Sequence, residues 1–442
     1  RDSALPARWV DVRRAFWNVV LVRRAVGSIS PVYTEDNMRM DMPRPNNGTR
    51  KDRKENIDMS IVSKKSKQIP GSLIREMFAM QAGMKDVISF ALGEPDFTAP
   101  QHVVDATVAS FRRGETHYTP NTGIPALRKA VAATYQARGL DYQPSEILIG
   151  AGAISLLNLA CTAMLDIGDE VLLPDPGWAN YKGLMMQVGA VPIPVKVKEE
   201  NGFMYEIDDL RNAITPKTKV ILINSPSNPT GGVASAENLR QISDLAKERN
   251  LYVLTDEIYR ELIWDGEPYT SIASFPGMKE RTVVVDGFSK KYAMTGFRLA
   301  WSAAPLEVTT VMTKLLENVL SSVNEGVQWG GVAALTGNQD CVEEMKCQYR
   351  RRRELIVKGL NNIEKISCLW PKGAFYAFAN ISGTGLKSQE FAMRLLQEQH
   401  VVVVPGTGFG QGGEGFIRLS YATSEKSIQE GLRRMEAFVK GL

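Results

Sequence analysis

The feature that most constrains the fold of this chain is a series of short β-branched runs separated by stretches with the helical period. The runs before residue 302 are 146–149, 170–173, 219–224, 251–255, 282–286 and 298–301. Some of them, such as 220–223 (Val-Ile-Leu-Ile), contain no polar residue, which is typical of strands covered by helices on both faces. Strands that alternate with helices form βαβ units, so the sequence predicts an α/β fold with a largely parallel central sheet.

The residues after 305 follow a different pattern. Residues 305–360 are helical and charged, and three strand-like pieces come after them, at 375–378, 401–404 and 416–421. We therefore expect a smaller α+β domain beside the main one. The predicted division is an extension over 1–58, an N-terminal part of the small domain over 59–104, a large domain over 105–328 and a C-terminal small domain over 329–442.

Residues 1–58 differ in charge from the rest of the chain. They hold 12 basic and 8 acidic residues, whereas the remaining residues hold 41 of each. The apolar stretch at 15–22 is not followed by a small-residue cleavage site as in a signal peptide, and a transit peptide normally lacks the acidic residues present here. We expect a disordered or artificially added extension, with Met59 as the natural start. A short basic interaction arm is the alternative.

Composition excludes several classes of protein. The 442 residues are 44% apolar and 23% charged, which is ordinary for a globular chain, and no apolar run approaches the ~18 residues of a membrane span. A neutral body lacks the cationic field of nucleic-acid-binding proteins. The cysteines and histidines are too few and too scattered for a disulfide framework or a metal site, which favours a reducing, cytoplasmic compartment. They are Cys161, Cys341, Cys347, Cys368, His102, His117 and His400.

One glycine motif resembles a dinucleotide-binding fingerprint but lacks its context. Gly408, Gly410 and Gly413 have the G-x-G-x-x-G spacing. The fingerprint requires that the glycines open a helix inside a βαβ unit. Here a predicted strand follows almost at once, so we expect a loop beside a site and no NAD.

Four loops follow predicted strands at their carboxyl ends, where open α/β sheets bind ligands. In the first loop, small residues at 150–153 open a helix over 154–164. Free N–H groups at such a helix start, together with the helix dipole, form a phosphate site. A plain tight turn would have the same sequence, so this loop alone does not decide between the two.

The second and third loops place an amide and a carboxylate at the same edge. In 224–231 (Asn-Ser-Pro-Ser-Asn-Pro-Thr-Gly) two prolines bracket Asn228 and fix its backbone. Asp256 ends a buried strand, where a carboxylate is costly unless it is paired, and a cationic ring nitrogen on a ligand would be a suitable partner. The alternative for Asp256 is an ordinary helix N-cap.

The fourth loop, 286–298, places Lys290 just after an apolar strand and Arg298 eight residues later. A buried amine with a lowered pKa is what Schiff-base chemistry requires. A fixed arginine fork suits a phosphate.

Together the loops resemble the class I and II aminotransferases, which are pyridoxal-phosphate enzymes of fold type I. The resemblance covers about residues 62–440. The motifs that carry it are Ser289-Lys290 through Gly296-x-Arg298, Asn228-Pro229-x-Gly231, Asp256-x-x-Tyr259, the Gly93-Glu94-Pro95-Asp96-Phe97 segment and Pro371-x-Gly373-Ala374-Phe375-Tyr376.

The resemblance implies roles around the cofactor ring. Lys290 would form the internal aldimine with pyridoxal phosphate and would act as the general base. Asp256 would pair with the pyridinium nitrogen, and Asn228 and Tyr259 would hydrogen-bond the phenolic oxygen. Trp178, in the Pro-Gly-Trp-x-x-Tyr segment at 176–181, would stack on the ring.

The resemblance also implies a phosphate site and a subunit arrangement. The backbone of Ala151, Gly152 and Ala153, with Arg298, would hold the phosphate. Tyr118 would reach the phosphate of the neighbouring subunit, which implies a homodimer with shared sites.

For the substrate, the resemblance implies that Arg418 binds the α-carboxylate with help from the backbone near Gly93, in a site that also includes Asn228 and Trp178. The implied reaction moves an amino group from an L-amino acid to a 2-oxo acid in two half-reactions.

Two departures from the family pattern bear on these roles. Gly287 stands where some members have a phosphate-binding serine, and Ser289 is the candidate replacement. The phosphate loop also lacks the lysine that one aspartate-using subgroup places there. The sequence therefore favours aspartate no more than a neutral donor, an aromatic donor or a broad range of amino donors.

Two alternatives to transamination are a carbon–sulfur β-lyase and a regulatory protein. A carbon–sulfur β-lyase uses the same scaffold and cofactor, and the cofactor motifs do not separate the two reactions. A regulator that fuses this fold to a DNA-binding module would need a helix-turn-helix pattern upstream, and residues 1–58 contain none.

Overall fold

The strands form three sheets in the computed structural model, which describes residues 61–266 and 268–442. The predictions for residues 1–58 lie outside the described residues. The strands are β1 (Ile88–Ser89), β2 (Ile147–Gly150), β3 (Glu170–Asp175), β4 (Val191–Lys196), β5 (Thr218–Asn224), β6 (Tyr252–Asp256), β7 (Thr282–Gly287), β8 (Ala300–Ala303), β9 (Ser367–Cys368), β10 (Tyr376–Asn380), β11 (Val401–Val402), β12 (Val404–Pro405) and β13 (Phe416–Ser420).

Helices surround these sheets throughout the described part of the chain. They are α1 (Lys64–Gln68), α2 (Leu73–Met80), α3 (Gln101–Arg112), α4 (Pro125–Gln136), α5 (Ala153–Met164), α6 (Asn180–Val188), α7 (Ile207–Ala213), α8 (Ala236–Glu248), α9 (Leu306–Val319), α10 (Glu325–Thr336), α11 (Asp340–Asn361), α12 (Ser388–Gln399) and α13 (Glu425–Lys440). Among the described residues, no helix combines the length and the apolar character that crossing a membrane requires.

The central sheet has seven strands in the order β2-β8-β7-β6-β5-β3-β4. From β4 to β7 all neighbours are parallel, and β8 is antiparallel to both β7 and β2. The predicted α/β fold with a mainly parallel sheet is confirmed. Because β2 and β7 both run opposite to β8, the carboxyl ends of β2, β5, β6 and β7 lie at one edge of the sheet.

Alternate residues of the central strands enter two different cores. In β5, Val220 and Leu222 belong to one apolar cluster, and Ile221 and Ile223 belong to the other. Side chains of a strand point alternately to the two faces of its sheet, so each face is covered by its own layer of helices. This double cover explains why these runs contain no polar residue.

The predicted strands of this sheet are all present, with bounds shifted by no more than two residues. The prediction for 298–301 was wrong at its start, because Arg298 has a φ of 53° and β8 begins only at Ala300. Strand β4 was not predicted. Its Pro192 and Pro194 argue against a central strand, but β4 lies at the sheet edge, where proline is tolerated.

The strand-like pieces near the C-terminus form two smaller sheets. Strands β12, β13, β10 and β9 make an antiparallel four-stranded sheet, and β1 pairs with β11 in parallel. The predicted strand 401–404 is therefore divided, since residues 401–402 pair with β1 and residues 404–405 pair with β13. Residues 59–104 and 329–442 thus share one sheet, as the predicted small domain requires, while the domain boundaries stay a prediction.

The glycine motif near residue 410 forms two short 3-10 turns, Gly406–Phe409 and Gln411–Gly413, and then enters β13. It opens no helix. The prediction that it is a loop, unlike a dinucleotide-binding turn, is confirmed.

Candidate active site

A cavity of about 490 Å³ opens at the edge where β2, β5, β6 and β7 end. The four loops predicted from the sequence therefore meet at one place. The side chains and backbone that line the cavity include Arg75, Gly93, Glu94, Ala153, Trp178, Tyr181, Asn224, Asn228, Asp256, Tyr259, Ser289, Lys290, Thr295, Arg298, Tyr376 and Arg418.

Lys290 follows β7 and extends into this cavity. Its Nζ donates a hydrogen bond to the carbonyl oxygen of Gly93 at 2.6 Å. Burial lowers the pKa of the Lys290 amine to about 8; nearby Glu94 opposes that shift, and Arg298 and Arg418 add to it. A substantial fraction of this amine is thus neutral near pH 8, which is the form that attacks a carbonyl.

Asp256 is the last residue of β6 and is 4% exposed. The hydroxyl of Tyr181 donates to its Oδ2 at 2.7 Å, and the backbone N–H of Ile258 donates to its Oδ1 at 3.2 Å. Burial raises the pKa of the Asp256 carboxyl to about 6, although these two hydrogen bonds act against the shift. Within the described residues no arginine or lysine forms an ion pair with it.

The next strand provides a contrast to Asp256. Asp286 is equally buried near the end of β7, but the guanidinium of Arg260 donates to its carboxylate. A buried carboxylate needs such a cation for stability. Asp256 lacks one of its own, so its position in the cavity fits a ligand that carries a positive nitrogen.

The start of α5 forms the predicted phosphate site together with Arg298. Gly152 precedes the helix with a φ of 84° and no side-chain cap, so the first N–H groups of α5 remain available. A Cβ atom built on Gly152 would lie 2.3 Å from the Nη2 of Arg298. Only glycine allows the guanidinium to approach the helix start this closely, which fits a shared anion between them.

Arg418 lies on β13 and is 1% exposed. Its Nη1 donates to the Oδ1 of Asn228 at 3.0 Å, and its Nη2 donates to the carbonyl oxygen of Ala91. Its Nε is buried and has no hydrogen-bond partner in the described part of the chain. A buried donor without a partner is costly, and a substrate carboxylate would satisfy it.

Tyrosines complete the wall between Lys290 and Arg418. The hydroxyl groups of Tyr259 and Tyr376 are 2.6 Å apart, and the guanidinium of Arg418 lies 4.6 Å from the ring centroid of Tyr376. A Cβ atom on Gly93 would lie 2.2 Å from the hydroxyl oxygen of Tyr376, so any residue other than glycine would clash with that hydroxyl. Trp178 lines the cavity and packs edge-on against Tyr181.

Three of the predicted residues do not line this cavity: Tyr118, Ala151 and Gly152. Tyr118 is 87% exposed, and Gly152 lies against the guanidinium of Arg298, which does line the cavity. The remaining predicted site residues, from Ala153 to Arg418 along the chain and Gly93 before them, all line it.

The sequence analysis gave no role to Tyr181, Tyr376, Glu94 or Arg75, which also line the cavity. Tyr181 and Tyr376 lie within motifs that carried the resemblance, so their positions were available as a signal. Arg75 lies outside every motif, and no pattern in the sequence distinguishes it from other arginines.

The cavity therefore fits pyridoxal phosphate. It offers an amine with a lowered pKa, a buried acid without a cation, an anion site at a helix start and an aromatic side chain in its wall. All four features follow from the described contacts.

Comparison with known proteins agrees with this site. The family model "Aminotransferase class I and II" matches residues 85–435. The chain is 44% identical to a putative aminotransferase, YugH, of Bacillus subtilis, over 86% of this chain and 98% of that protein. It is 42% identical to an aspartate aminotransferase of Pyrococcus horikoshii, over 84% and 96% of the two chains.

A solved structure shows the same fold. The aromatic aminotransferase from Pyrococcus horikoshii OT3 superposes with a TM-score of 0.80 at 39% identity, over 83% of this chain and 99% of that one. The site geometry and these matches lead to one conclusion: the chain belongs to the class I and II aminotransferases and is a pyridoxal-phosphate-dependent transaminase.

Proposed function

We propose that this transaminase moves amino groups between L-amino acids and 2-oxo acids with Lys290, Asp256 and Arg418 as its principal residues. The observation that carries the proposal is that all three line one cavity. Among the described residues, Asp256 forms no ion pair and the Nε of Arg418 has no acceptor, and burial lowers the pKa of the Lys290 amine to about 8.

In this proposal each residue has a separate task. When bound, pyridoxal phosphate supplies an aldehyde for amines and a ring that withdraws electrons from the substrate Cα. Lys290 accepts the proton from that carbon and later returns it. Asp256 holds a negative charge against the ring nitrogen, and Arg418 orients the substrate through its α-carboxylate.

The phosphate and ring contacts belong to the same proposal. The N–H groups at the start of α5, with Ser289 and Arg298, bind the phosphate. Asn228 and Tyr259 hydrogen-bond the ring oxygen, and Trp178 covers the ring face. Gly93 contributes backbone to the substrate site, as its contact with Lys290 suggests.

The proposed assembly is a homodimer in which Tyr118 serves the partner's site. Tyr118 is 87% exposed, and the neighbouring Thr119 contacts Ser322 and Val323. Val319, three residues before Ser322 in the chain, is also exposed, at 73%. Exposed apolar side chains that lie close together are typical of an interface. A monomer by sedimentation that retains full activity would contradict this part.

Two further proposals concern the domain division and the cellular location of the protein. The division into a large domain over 105–328 and a small domain over 59–104 and 329–442 is supported by the separate sheets. We propose a cytoplasmic location because none of the four cysteines, all within the described residues, forms a disulfide bond.

The first experiment measures transamination with a panel of donors. Aspartate, glutamate, tyrosine, phenylalanine and alanine are tested against 2-oxoglutarate and against pyruvate. The relatives are named for aspartate and for aromatic amino acids, so we expect activity in at least one of these two groups. Pyruvate release from cystathionine without any oxo acid, and no transamination, would instead assign the lyase reaction.

The second experiment locates the lysine. Borohydride reduction of the loaded enzyme followed by peptide mass analysis should find the cofactor on Lys290. Lys291 is the matched control, since it is adjacent in sequence but lies near Glu261, at 3.7 Å. Labelling of Lys291, or of neither lysine, would contradict the proposal.

A further inference from the structure

Asp256 and Lys290, which the proposed function places at the two ends of the cofactor ring, follow neighbouring strands. Strands β6 and β7 pair in parallel as far as Asp256 and Val285. Beyond that point, no backbone hydrogen bond joins 258–262 to 286–292 among the described residues. Lys290 lies five residues after Val285, so the strand pairing does not by itself fix the amine relative to the carboxylate.

A buried ion pair connects the two segments beyond the strand pairing. The Nε of Arg260 donates to the Oδ2 of Asp286, whose Oδ1 accepts from the backbone N–H of Gly287 at 2.6 Å. Arg260 is 6% exposed and Asp286 is 2% exposed. Arg260 comes four residues after Asp256, and Asp286 comes four residues before Lys290. The pair therefore joins the loop that follows Asp256 to the chain that leads to Lys290.

Stability alone does not explain why this pair is buried. Two charges lose their hydration on burial, and apolar side chains of similar volume often give a fold that is equally stable or more stable. A buried ion pair does favour one geometry, because each charge is costly in any arrangement that separates it from its partner. The Arg260–Asp286 pair thus favours one relative position of the two segments that it joins.

A second ion pair between the same segments is less suited to this task. Glu261 and Lys291 are 3.7 Å apart, and their side chains are 34% and 19% exposed. Water screens such a pair and its side chains keep more freedom, so its contribution is small. Arg260 and Asp286 are the more deeply buried link.

We propose that Arg260 and Asp286 are positioning residues whose ion pair fixes the Lys290 amine relative to the Asp256 carboxylate. This inference rests on the proposed function and adds two residues to its site. The cofactor ring is rigid, so an amine can meet its aldehyde carbon only if the two segments keep one spacing. Misplacing a reacting group by about 1 Å can cost about 100-fold in rate.

The test uses the double variant Arg260→Met/Asp286→Asn, which replaces the pair by neutral side chains of similar length. Because both charges are removed, no unpaired charge stays buried. The full chain, freed of cofactor, is titrated with two ligands. Pyridoxamine phosphate binds without a bond to the protein, and its dissociation constant should change less than about 3-fold. Pyridoxal phosphate binds as the Lys290 amine attacks its aldehyde carbon and water leaves, and its dissociation constant should rise about 10-fold.

Steady-state kinetics gives a second readout. In the double variant kcat should fall about 10- to 100-fold with every donor, while KM changes less than about 3-fold, because the pair acts on the proton carrier and not on Arg418. A donor deuterated at Cα should show a larger isotope effect on kcat than with the wild type, since proton transfer becomes the slow step. Arg260→Lys keeps the charge but loses the fork, so its losses should be smaller.

The matched control is Arg353→Met/Asp265→Asn. These residues form an ion pair of the same types at 2.6 Å, and neither of them lines the active-site cavity. Arg353 is 5% exposed, so the control also removes a buried guanidinium. Both dissociation constants, kcat and the isotope effect should match the wild type.

Four results would overturn the inference. They are wild-type values in the double variant, an equal loss of affinity for both ligands, the same losses in the control, and a lowered melting temperature with unchanged kcat. If the double variant does not fold, Arg260→Lys carries the same comparison, with a loss of about 3-fold expected for pyridoxal phosphate alone. A wild-type chain that forms no bond between Lys290 and pyridoxal phosphate would contradict the proposed function itself.

Discussion

The active site is assembled from two parts that differ in origin. The sheet part consists of residues that follow the strand ends of the central sheet, such as Asn228, Asp256 and Lys290. The outer part comes from separate elements, namely Arg75 on α2 and Arg418 on β13, together with the segment at 92–94. The sheet part surrounds the proposed cofactor position, and the outer part surrounds the proposed substrate position.

The two parts also differ electrostatically. In the sheet part, burial moves the pKa of Asp256 up to about 6 and the pKa of Lys290 down to about 8. In the outer part, Arg418 is fully buried, whereas Arg75 is exposed. In the proposed function, buried groups on one rigid sheet carry out the reaction chemistry, and groups from other elements of the chain bind the substrate.

The strongest test of this comparison is Lys290→Ala in the sheet part. Turnover should fall by at least about 1,000-fold, because the proton carrier is removed, and borohydride should no longer fix the cofactor to the chain. The measurement is kcat with the best donor of the panel. Lys291→Ala should stay close to the wild type. Substantial turnover in Lys290→Ala would show that the sheet part does not supply the group that transfers the proton.

Asp256→Asn tests the second buried group of the sheet part. The change keeps the shape of the side chain but removes the charge, so we expect kcat to fall about 100-fold with every donor alike. Steady-state kinetics with one dicarboxylic and one neutral donor measures this. A loss confined to one donor class would break the comparison, since it would make Asp256 a specificity residue.

Arg418→Lys tests the outer part. The lysine keeps a charge but loses the fork that contacts Asn228 and Ala91, so kcat/KM should fall about 10- to 100-fold, mainly through KM. Circular dichroism checks the fold, because Arg418 is buried. A fall in kcat with an unchanged KM would show that Arg418 acts in the chemical step. The outer part would then contribute to chemistry as well as to substrate binding.

Of these variants, Tyr181→Phe should have the smallest effect on activity. It tests how the sheet part controls the charge of Asp256. The Tyr181 hydroxyl donates to the charged form of Asp256 and lowers its pKa. Without it the pKa of Asp256 rises, so the charged form is lost at a higher pH. The acid limb of the kcat/KM profile should move up by about one unit or less, with activity at neutral pH reduced about 2-fold at most. Tyr205→Phe, which alters another buried tyrosine whose hydroxyl donates to the carbonyl oxygen of Leu222 instead of Asp256, should leave the acid limb in place.

The sheet part and the outer part were not equally accessible from the sequence. Asp256 and Lys290 each follow a buried run within a few residues, and parallel strands bring their carboxyl ends together, so local pattern was enough to group them. Arg418 and Gly93 were placed only through the family resemblance. Arg418 contacts Asn228 and Gly93 contacts Lys290, which lie 190 and 197 residues away along the chain, and no local pattern encodes such pairings.

Other features could not be predicted for identifiable physical reasons. The contact between Tyr181 and Asp256 depends on how α6 packs against the sheet, and Arg75 reaches the cavity only because α2 does. Strand β4 contains two prolines that argue against a strand unless its edge position is known. The left-handed backbone of Arg298 delays the start of β8 to Ala300, and no residue pattern at 298 indicates that conformation.

The unpaired state of Asp256 has a consequence for the lifetime of the protein. Because its pKa is raised in the folded chain, the stability it contributes is complete below about pH 4 and is lost as the pH rises through about 6. Near neutrality the empty enzyme thus bears an uncompensated charge that a cationic ring relieves, and ligand at 100 times its dissociation constant adds about 2.7 kcal/mol. Loss of the cofactor would then lower the free energy of unfolding, and a larger share of the molecules would be unfolded and exposed to proteases. The abundance of this protein would follow the supply of cofactor without any change in its synthesis.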